Sequence, residues 1–189
     1  MNTYRILHGD ALTMLRTLPA DSVHCVVTSP PYWGLRDYGH DEQIGLEETP
    51  DAYVARLVDV FREVRRVLRE DGTCWLNLGD SYARTTPNHG LGGGIQRNGL
   101  TPESTAKTRM AQGLKDKDLV GIPWRVGFAL QADGWWLRQD IIWHKTAPMP
   151  ESVTDRCTKA HEYVFLLTKS ARYFYCLLYT SDAADDLLC

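Results

Sequence analysis

A chain of 189 residues with 43% hydrophobic and 24% charged residues suits one globular domain with a sizeable core, and excludes a disordered or low-complexity protein. No stretch approaches the roughly 18 uninterrupted apolar residues of a membrane span, and the start MNTYRILHGD lacks the basic-then-apolar layout of a signal peptide, which points to the cytoplasm. The formal net charge of −3 does not advertise a polyanionic partner, and the five cysteines (Cys25, Cys74, Cys157, Cys176, Cys189), without a CxxC pair, argue against a disulfide framework or a zinc site.

Tyr4-Arg5-Ile6-Leu7 reads as a short strand that delivers Gly9-Asp10 to a loop. Ala11, Leu12, Leu15 and Leu18 then recur at helical spacing until Pro19. Val23 to Val27 is nearly all apolar, as expected of a parallel strand covered on both faces. A long helix follows, with Thr49 as cap, Pro50 at its first position and Asp51 in its first turn. Its buried stripe is Val54, Leu57, Val58, Phe61, Val64 and Leu68, and Gly72 suits a left-handed closing residue. Thr73 to Leu78 reads as a strand running into Gly79-Asp80. This strand–helix–strand order is the grammar of a doubly wound α/β sheet, whose ligands gather at the carboxyl ends of strands. Asp10, Ser29 and Asp80 are then expected to share a crevice, with Asp80 fixing its loop.

Residues 84–118 have no sustained periodicity and are rich in Gly, Thr and Asn. With Arg125 added, the segment carries Arg84, Arg97, Lys107, Arg109, Lys115 and Lys117 against Glu103, Asp116 and Asp118. It reads either as a solvated loop or as a flexible basic flap for a polyanion. A helix is expected from Leu119 to Gly134, weakened early by Pro123 and Gly127. Trp135 to Trp143 then returns as a strand pair or one long strand, and Tyr163 to Leu167 as a further strand.

The segment TSPPYWGLRDYG raises a sharper question. Ser29-Pro30-Pro31-Tyr32 directly follows an apolar strand, and two prolines without N–H donors must end that strand in a rigid turn. The turn carries Tyr32 and Trp33, an aromatic pair costly to leave in water unless something flat lies against it.

The ordered set SPPY, DLVGIPWR, WWLRQDIIWHK, MPESV, DR and HEYVFLLTKS, spread over residues 4–175, resembles the β-group amino-methyltransferases of DNA. The resemblance implies a Rossmann-like, S-adenosyl-L-methionine-dependent methyltransferase sheet and transfer of a methyl group to an exocyclic nitrogen of cytosine or adenine in double-stranded DNA. The physical demand fits the turn. A base amine is a poor nucleophile because its lone pair is delocalised, so acceptors fixed around it must make the nitrogen more tetrahedral. The Ser29 hydroxyl and Pro30 carbonyl are those acceptors, Pro30 and Pro31 stiffen them, and Tyr32 offers a stacking face worth about 1–3 kcal/mol per base. A base in a duplex must first be flipped out, at about a few kcal/mol.

By resemblance, Asp10 accepts from the cofactor's adenine amine, although capping of the helix at Ala11 needs the same residue there. Ser29 borders the same cofactor site. Trp33 and Trp143 are candidates for the base pocket, with core packing beside Trp135 and Trp136 the alternative for Trp143. Lys145 and Arg156 are candidates for phosphate or base-edge contacts. No metal is expected, and His161-Glu162 reads as structural, since a methylated amine sheds its proton without a dedicated base.

The family's glycine-rich FxGxGT motif follows the catalytic block and is not reached here. Residues 176–189, CLLYTSDAADDLLC, have no family character and are read as a non-native tail. The expectation is a catalytic part at residues 1–175 that binds the cofactor poorly, has little activity alone and exposes an apolar sheet edge. Ser at the first position of the tetrapeptide favours cytosine N4 over adenine N6, in a bacterial or phage-encoded enzyme with a possible cognate restriction endonuclease outside this chain. The rivals are an inactive DNA-binding module and a protein glutamine methyltransferase with the related NPPY turn.

Overall fold

The computed structural model describes residues 4–40, 42–83 and 114–175. In chain order these hold α1 (Ala11–Arg16), β1 (Val23–Thr28), α2 (Pro50–Val67), β2 (Leu68–Leu78), α3 (Ile122–Ala132), β3 (Trp136–His144) and β4 (His161–Thr168). The strands form one sheet in the order β1-β2-β4-β3. β1 runs parallel to β2, while β4 is antiparallel to both β2 and β3. The doubly wound expectation is met in the parallel β1–α2–β2 unit, and the sheet as a whole is mixed.

α2 forms where its sequence signals place it. The Thr49 side chain accepts from the Ala52 N–H at 3.1 Å, and Pro50 opens the first turn. Leu57, Val58, Phe61 and Val64 recur on one face and are buried. They meet Cys74, Leu76 and Leu78 of β2 and Phe165 and Leu167 of β4 in one core. Those strand residues are cross-strand partners, Cys74 with Leu167 and Leu76 with Phe165, so they share the sheet face under the helices. α3 closes the other half of that face. Its Trp124 packs edge-on to Tyr163 and Phe165, with centroids 5.6 and 5.2 Å apart. The two helices are tied together by Arg62, which donates to Asp133 at 2.7 Å, and by Arg125, which donates to Asp51 at 3.2 Å.

Four expectations need correction. Tyr4–Leu7 is not a strand; Tyr4 and Ile6 lie exposed, with no ladder formed. β1 is parallel as expected but lies at the sheet edge and is not covered on both faces, since Val27 is 79% exposed. Gly72 does not close α2. The helix ends at Val67, the chain turns directly into β2, and Gly72 lies inside that strand because a Cβ there would come within 2.7 Å of Leu68 Cγ and 2.9 Å of the His24 carbonyl. The helix expected from Leu119 begins at Ile122, with Gly121 in the left-handed region at φ +77° before it and Pro123 harmless in the first turn. Leu119 instead bridges to Tyr82.

Candidate active site

β1 ends at Thr28 and the next four residues, Ser29 to Tyr32, form the proline turn beyond its carboxyl end. The turn is fixed by what lies beneath it. The hydroxyl of fully buried Tyr53, on α2, donates to the Pro31 carbonyl at 3.0 Å. The Gly34 N–H donates to the Gly45 carbonyl at 2.7 Å, and the Gly45 N–H to Glu47 Oε2 at 2.9 Å. Gly45 itself has φ +105°, and a Cβ there would stand 3.0 Å from the Tyr32 carbonyl. Both constraints require glycine.

Ser29, Pro30, Pro31 and Tyr32 line one open cavity of about 220 Å³, which Leu35, Arg36 and Tyr38 complete. Tyr32 is half-buried, and its ring lies so close over the end of β2 that a Cβ on Gly79 would come within 2.5 Å of Cε2. Its hydroxyl is anchored at the sheet: two acceptors, Asn77 Oδ1 at 2.7 Å and Glu162 Oε2 at 3.0 Å, stand within reach of its single proton. Glu162 in turn binds the Lys145 ammonium. Strand register explains the convergence. Asn77 pairs with Val164, two residues from Glu162, so the two polar groups stand on the sheet face opposite the helices. Trp143 is the cross-strand partner of Glu162 and shares that face.

The electrostatics follow from burial and this chain of partners. Burial, then the hydrogen bond and charge of Glu162, push the Tyr32 hydroxyl well above the usual phenol range, so it stays protonated. Burial also works to raise the Glu162 carboxyl, but hydrogen bonds from Lys145 and Tyr32 and the lysine charge outweigh it and hold the group below the ordinary carboxylate value.

The remaining expected site residues divide. Trp143 is 59% exposed and so does not pack in the core of the described residues; Trp136 lies at the other end of β3 and Trp135 just before it. Trp33 is a correction. It is 2% exposed and its Nε1 donates to the Glu47 carbonyl at 2.9 Å, so it braces the turn from the core and offers no face to a base. Asp10 caps α1, accepting from the Thr13 N–H and hydroxyl, each at 2.9 Å, and these bonds hold its carboxyl below the usual range. It does not line the cavity beside Ser29. Asp80 fixes its loop as expected: Oδ1 accepts from the N–H groups of Ser81, Gly121 and Ile122 at 2.9 to 3.0 Å, which ties the end of β2 to the start of α3.

Arg156 lies elsewhere. Its guanidinium sits 3.9 Å over the Tyr82 ring and pairs with Glu151, lining a second cavity of about 510 Å³ with Lys117 and Asp155. Most of the basic flap, residues 84–113, and the tail, residues 176–189, lie outside the described residues. At the end of the flap that is described, Lys117 donates to Asp155 at 2.6 Å. Among the described residues no cluster of His, Cys, Asp and Glu has the arrangement of a metal site. No helix there is long and apolar enough to cross a membrane.

The sequence pattern of the N6/N4 DNA methylase family matches residues 23–185. The chain belongs to this DNA methylase family. Its similarity to individual relatives is high: it is 54% identical over 177 residues to the Type II methyltransferase M.Cfr9I of Citrobacter freundii, covering 93% of this chain and 57% of that one. Against the Type II methyltransferase M.SmaI of Serratia marcescens it is 49% identical over 181 residues, covering 93% and 59%. The chain thus spans a little over half the length of these relatives. Among solved structures, a DNA modification methylase from Thermus thermophilus complexed with S-adenosyl-L-methionine superposes with a TM-score of 0.57 at 25% identity, over 89% of this chain and 54% of that one. PvuII DNA methyltransferase (cytosine-N4-specific) shares the fold, with a TM-score of 0.58 at 20% identity over 87% and 49%. The mixed sheet of this member of the family is therefore part of a Rossmann-like methyltransferase sheet.

Sequence reasoning read Glu162 as structural without its link to Tyr32, and it did not single out Asn77, a polar residue inside an otherwise apolar strand run, a signal that was present. Arg36 and Tyr38 lie in a polar loop with no pattern to distinguish them, and only the tertiary path of that loop brings them to the cavity.

Proposed function

We propose that the chain is the catalytic part of a Type II DNA methyltransferase that transfers a methyl group from S-adenosyl-L-methionine to cytosine N4 in double-stranded DNA after flipping the base out of the helix. The single observation that carries the reading is the braced Ser29-Pro30-Pro31-Tyr32 turn, whose four residues line one cavity with the tyrosine ring fixed at its edge.

In this reading the chain's own groups act as follows. Ser29 Oγ and the Pro30 carbonyl accept hydrogen bonds from the base amine, drawing its lone pair out of conjugation; acceptors that are already held in place need little reorganisation when charge develops. Tyr32 stacks on the base, with exposed Trp143 the candidate for a second wall. The cavity of about 220 Å³ accommodates a single base or one end of a nucleoside cofactor, not a whole S-adenosylmethionine, so the described residues fit that group only in part. Ser29, on the cavity, would border it, and Asp10, which caps α1 outside that cavity, would reach only its far end; when bound, the cofactor supplies a methyl group activated on a sulfonium. The nitrogen's surplus proton is lost to water, which asks for no base in the protein.

The choice of cytosine N4 over adenine N6 rests on Ser29 at the first position of the tetrapeptide, where adenine enzymes of the resembled group more often carry Asp. Protein from the complete gene, incubated with duplex DNA and S-adenosylmethionine and followed by nucleoside mass spectrometry, tests both levels. N4-methylcytosine is the expected product. N6-methyladenine alone would replace the base assignment, and an unmodified duplex across varied sequences would favour an inactive DNA-binding module.

A further inference from the structure

The face of the proline turn nearest the sheet is held by a charged relay that methyl transfer itself does not consume. Tyr32 has one hydroxyl proton, yet two acceptors approach its oxygen, Asn77 Oδ1 at 2.7 Å and Glu162 Oε2 at 3.0 Å. Asn77 cannot turn away, because its Nδ2 donates to the Tyr163 carbonyl at 3.1 Å. The second oxygen of Glu162 is taken by the Lys145 ammonium, whose own backbone N–H is fixed to the Ala160 carbonyl at 2.8 Å. The Glu162 side chain is only 20% exposed. A carboxylate withdrawn that far from water is costly unless each oxygen is partnered, and here the partners are the aromatic wall of the cavity and a cation.

We propose that Glu162 is a positioning residue that locks the Tyr32 ring in place over the end of β2, and that Lys145 acts through Glu162 instead of on a DNA phosphate. The inference rests on the methyltransferase reading and deepens it. A tyrosine ring turns about two side-chain torsions. The hydroxyl anchor fixes the first torsion, which sets the direction of the ring axis, and the Gly79 backbone against Cδ2 and Cε2 restricts the second, which sets its plane. A base then stacks on a plate already at its working angle, so the benefit falls on the geometry of transfer more than on DNA affinity. A lysine that touched phosphate would do the reverse, weakening DNA binding when removed and lowering its salt dependence.

The test uses protein from the complete gene and the variants Tyr32→Phe, Glu162→Ala, Glu162→Gln, Lys145→Ala and the double variant Tyr32→Phe/Glu162→Ala. The expected result is a loss in kcat of about tenfold for Glu162→Ala, with KM for DNA changed by less than about threefold. Tyr32→Phe should match it, the double variant should be no worse than either, and Glu162→Gln, which keeps an acceptor oxygen, should recover most of the rate. Lys145→Ala should leave the salt slope of DNA binding unchanged. Additive losses in the double variant, or a salt slope reduced by about one in Lys145→Ala, would overturn the proposal. A readout without turnover separates it from the parent reading: 3-fluorotyrosine at position 32, followed by fluorine NMR in the absence of DNA. If Glu162→Ala leaves that resonance unmoved, the anchor is wrong whatever the activity. If the resonance moves while the wild-type protein methylates nothing, the anchor stands and the methyltransferase reading fails.

Discussion

The hydroxyl of Tyr53, a residue with no exposed surface, donates to the carbonyl oxygen of Pro31 at 3.0 Å and so connects the first turn of α2 to the candidate catalytic turn. Burial, followed by the nearby Glu47 charge, pushes this phenol far above its usual range, which keeps it a donor at every pH the fold survives. Tyr53→Phe removes the bond and leaves a part-buried carbonyl without this partner, at a cost of about 1–3 kcal/mol. A lower midpoint in urea denaturation, together with reduced methyl transfer by the complete protein, is the expected outcome. An unchanged midpoint would show that the turn holds itself.

Gly79→Ala should disturb the ring from the opposite side. The added methyl would stand 2.5 Å from Cε2 and 2.7 Å from Cδ2 of Tyr32, and a ring anchored at its hydroxyl has little room to retreat. Overpacking of this kind costs about 1–3 kcal/mol. The fluorine resonance of a labelled Tyr32 should shift in this variant. The double variant Gly79→Ala/Tyr32→Ala should regain the stability lost to the clash.

The acid limb of stability should carry a contribution from Glu162. Its folded carboxyl titrates below the unfolded value of 4.5, so the stabilisation is fully present above that value and is lost as pH falls through the lower folded value. Urea midpoints measured from pH 6 downward should therefore decline less steeply in Glu162→Gln than in the parent chain over that acid window. Parallel curves would remove Glu162 from the account.

Cysteine reactivity should divide cleanly. Cys74 lies in the core, and burial pushes its thiol up to about 12, with the neighbouring Cys25 adding to the shift. Cys25 and Cys157 are exposed. At pH 8 a thiol reagent, with peptide mapping by mass spectrometry, should modify Cys25 and Cys157 and reach Cys74 only after unfolding.

Loss of the α2 cap gives a simpler check on the fold. Thr49→Ala deletes the side-chain acceptor for the Ala52 N–H and should lower stability by about 1 kcal/mol, read as a shifted denaturation midpoint with an unchanged slope.

What was legible in the sequence was what neighbouring residues decide among themselves. The cap of α2 and the middle of its stripe (Leu57, Val58, Phe61, Val64), the breaking of β1 by Pro30-Pro31, and the polar strand end at Asp80 all depend on short spacings and stand where expected, while Val54 is only half-buried and Leu68 belongs to β2. What was not legible depends on distant partners. Trp33 looked like half of an exposed aromatic pair, but the loop carrying Gly45 and Glu47 folds back and buries it. Gly72 looked like a helix end because nothing local reveals that the His24 carbonyl will cross above it. Glu162 read as structural; its approach to Tyr32 is set by the register of β4 on β2, a property of two segments far apart in the chain.

That register has a kinetic consequence. β4 is translated after β3 yet lies between β3 and β2, so among the described strands β3 has no neighbour until residues 161–168 have left the ribosome. Pairings that join distant segments close slowly, because the intervening chain must be ordered before any contact rewards it. The edge of β3 that β4 will cover is thus presented to the cell while the strand waits, and this is the interval in which a chaperone would matter most for the nascent chain.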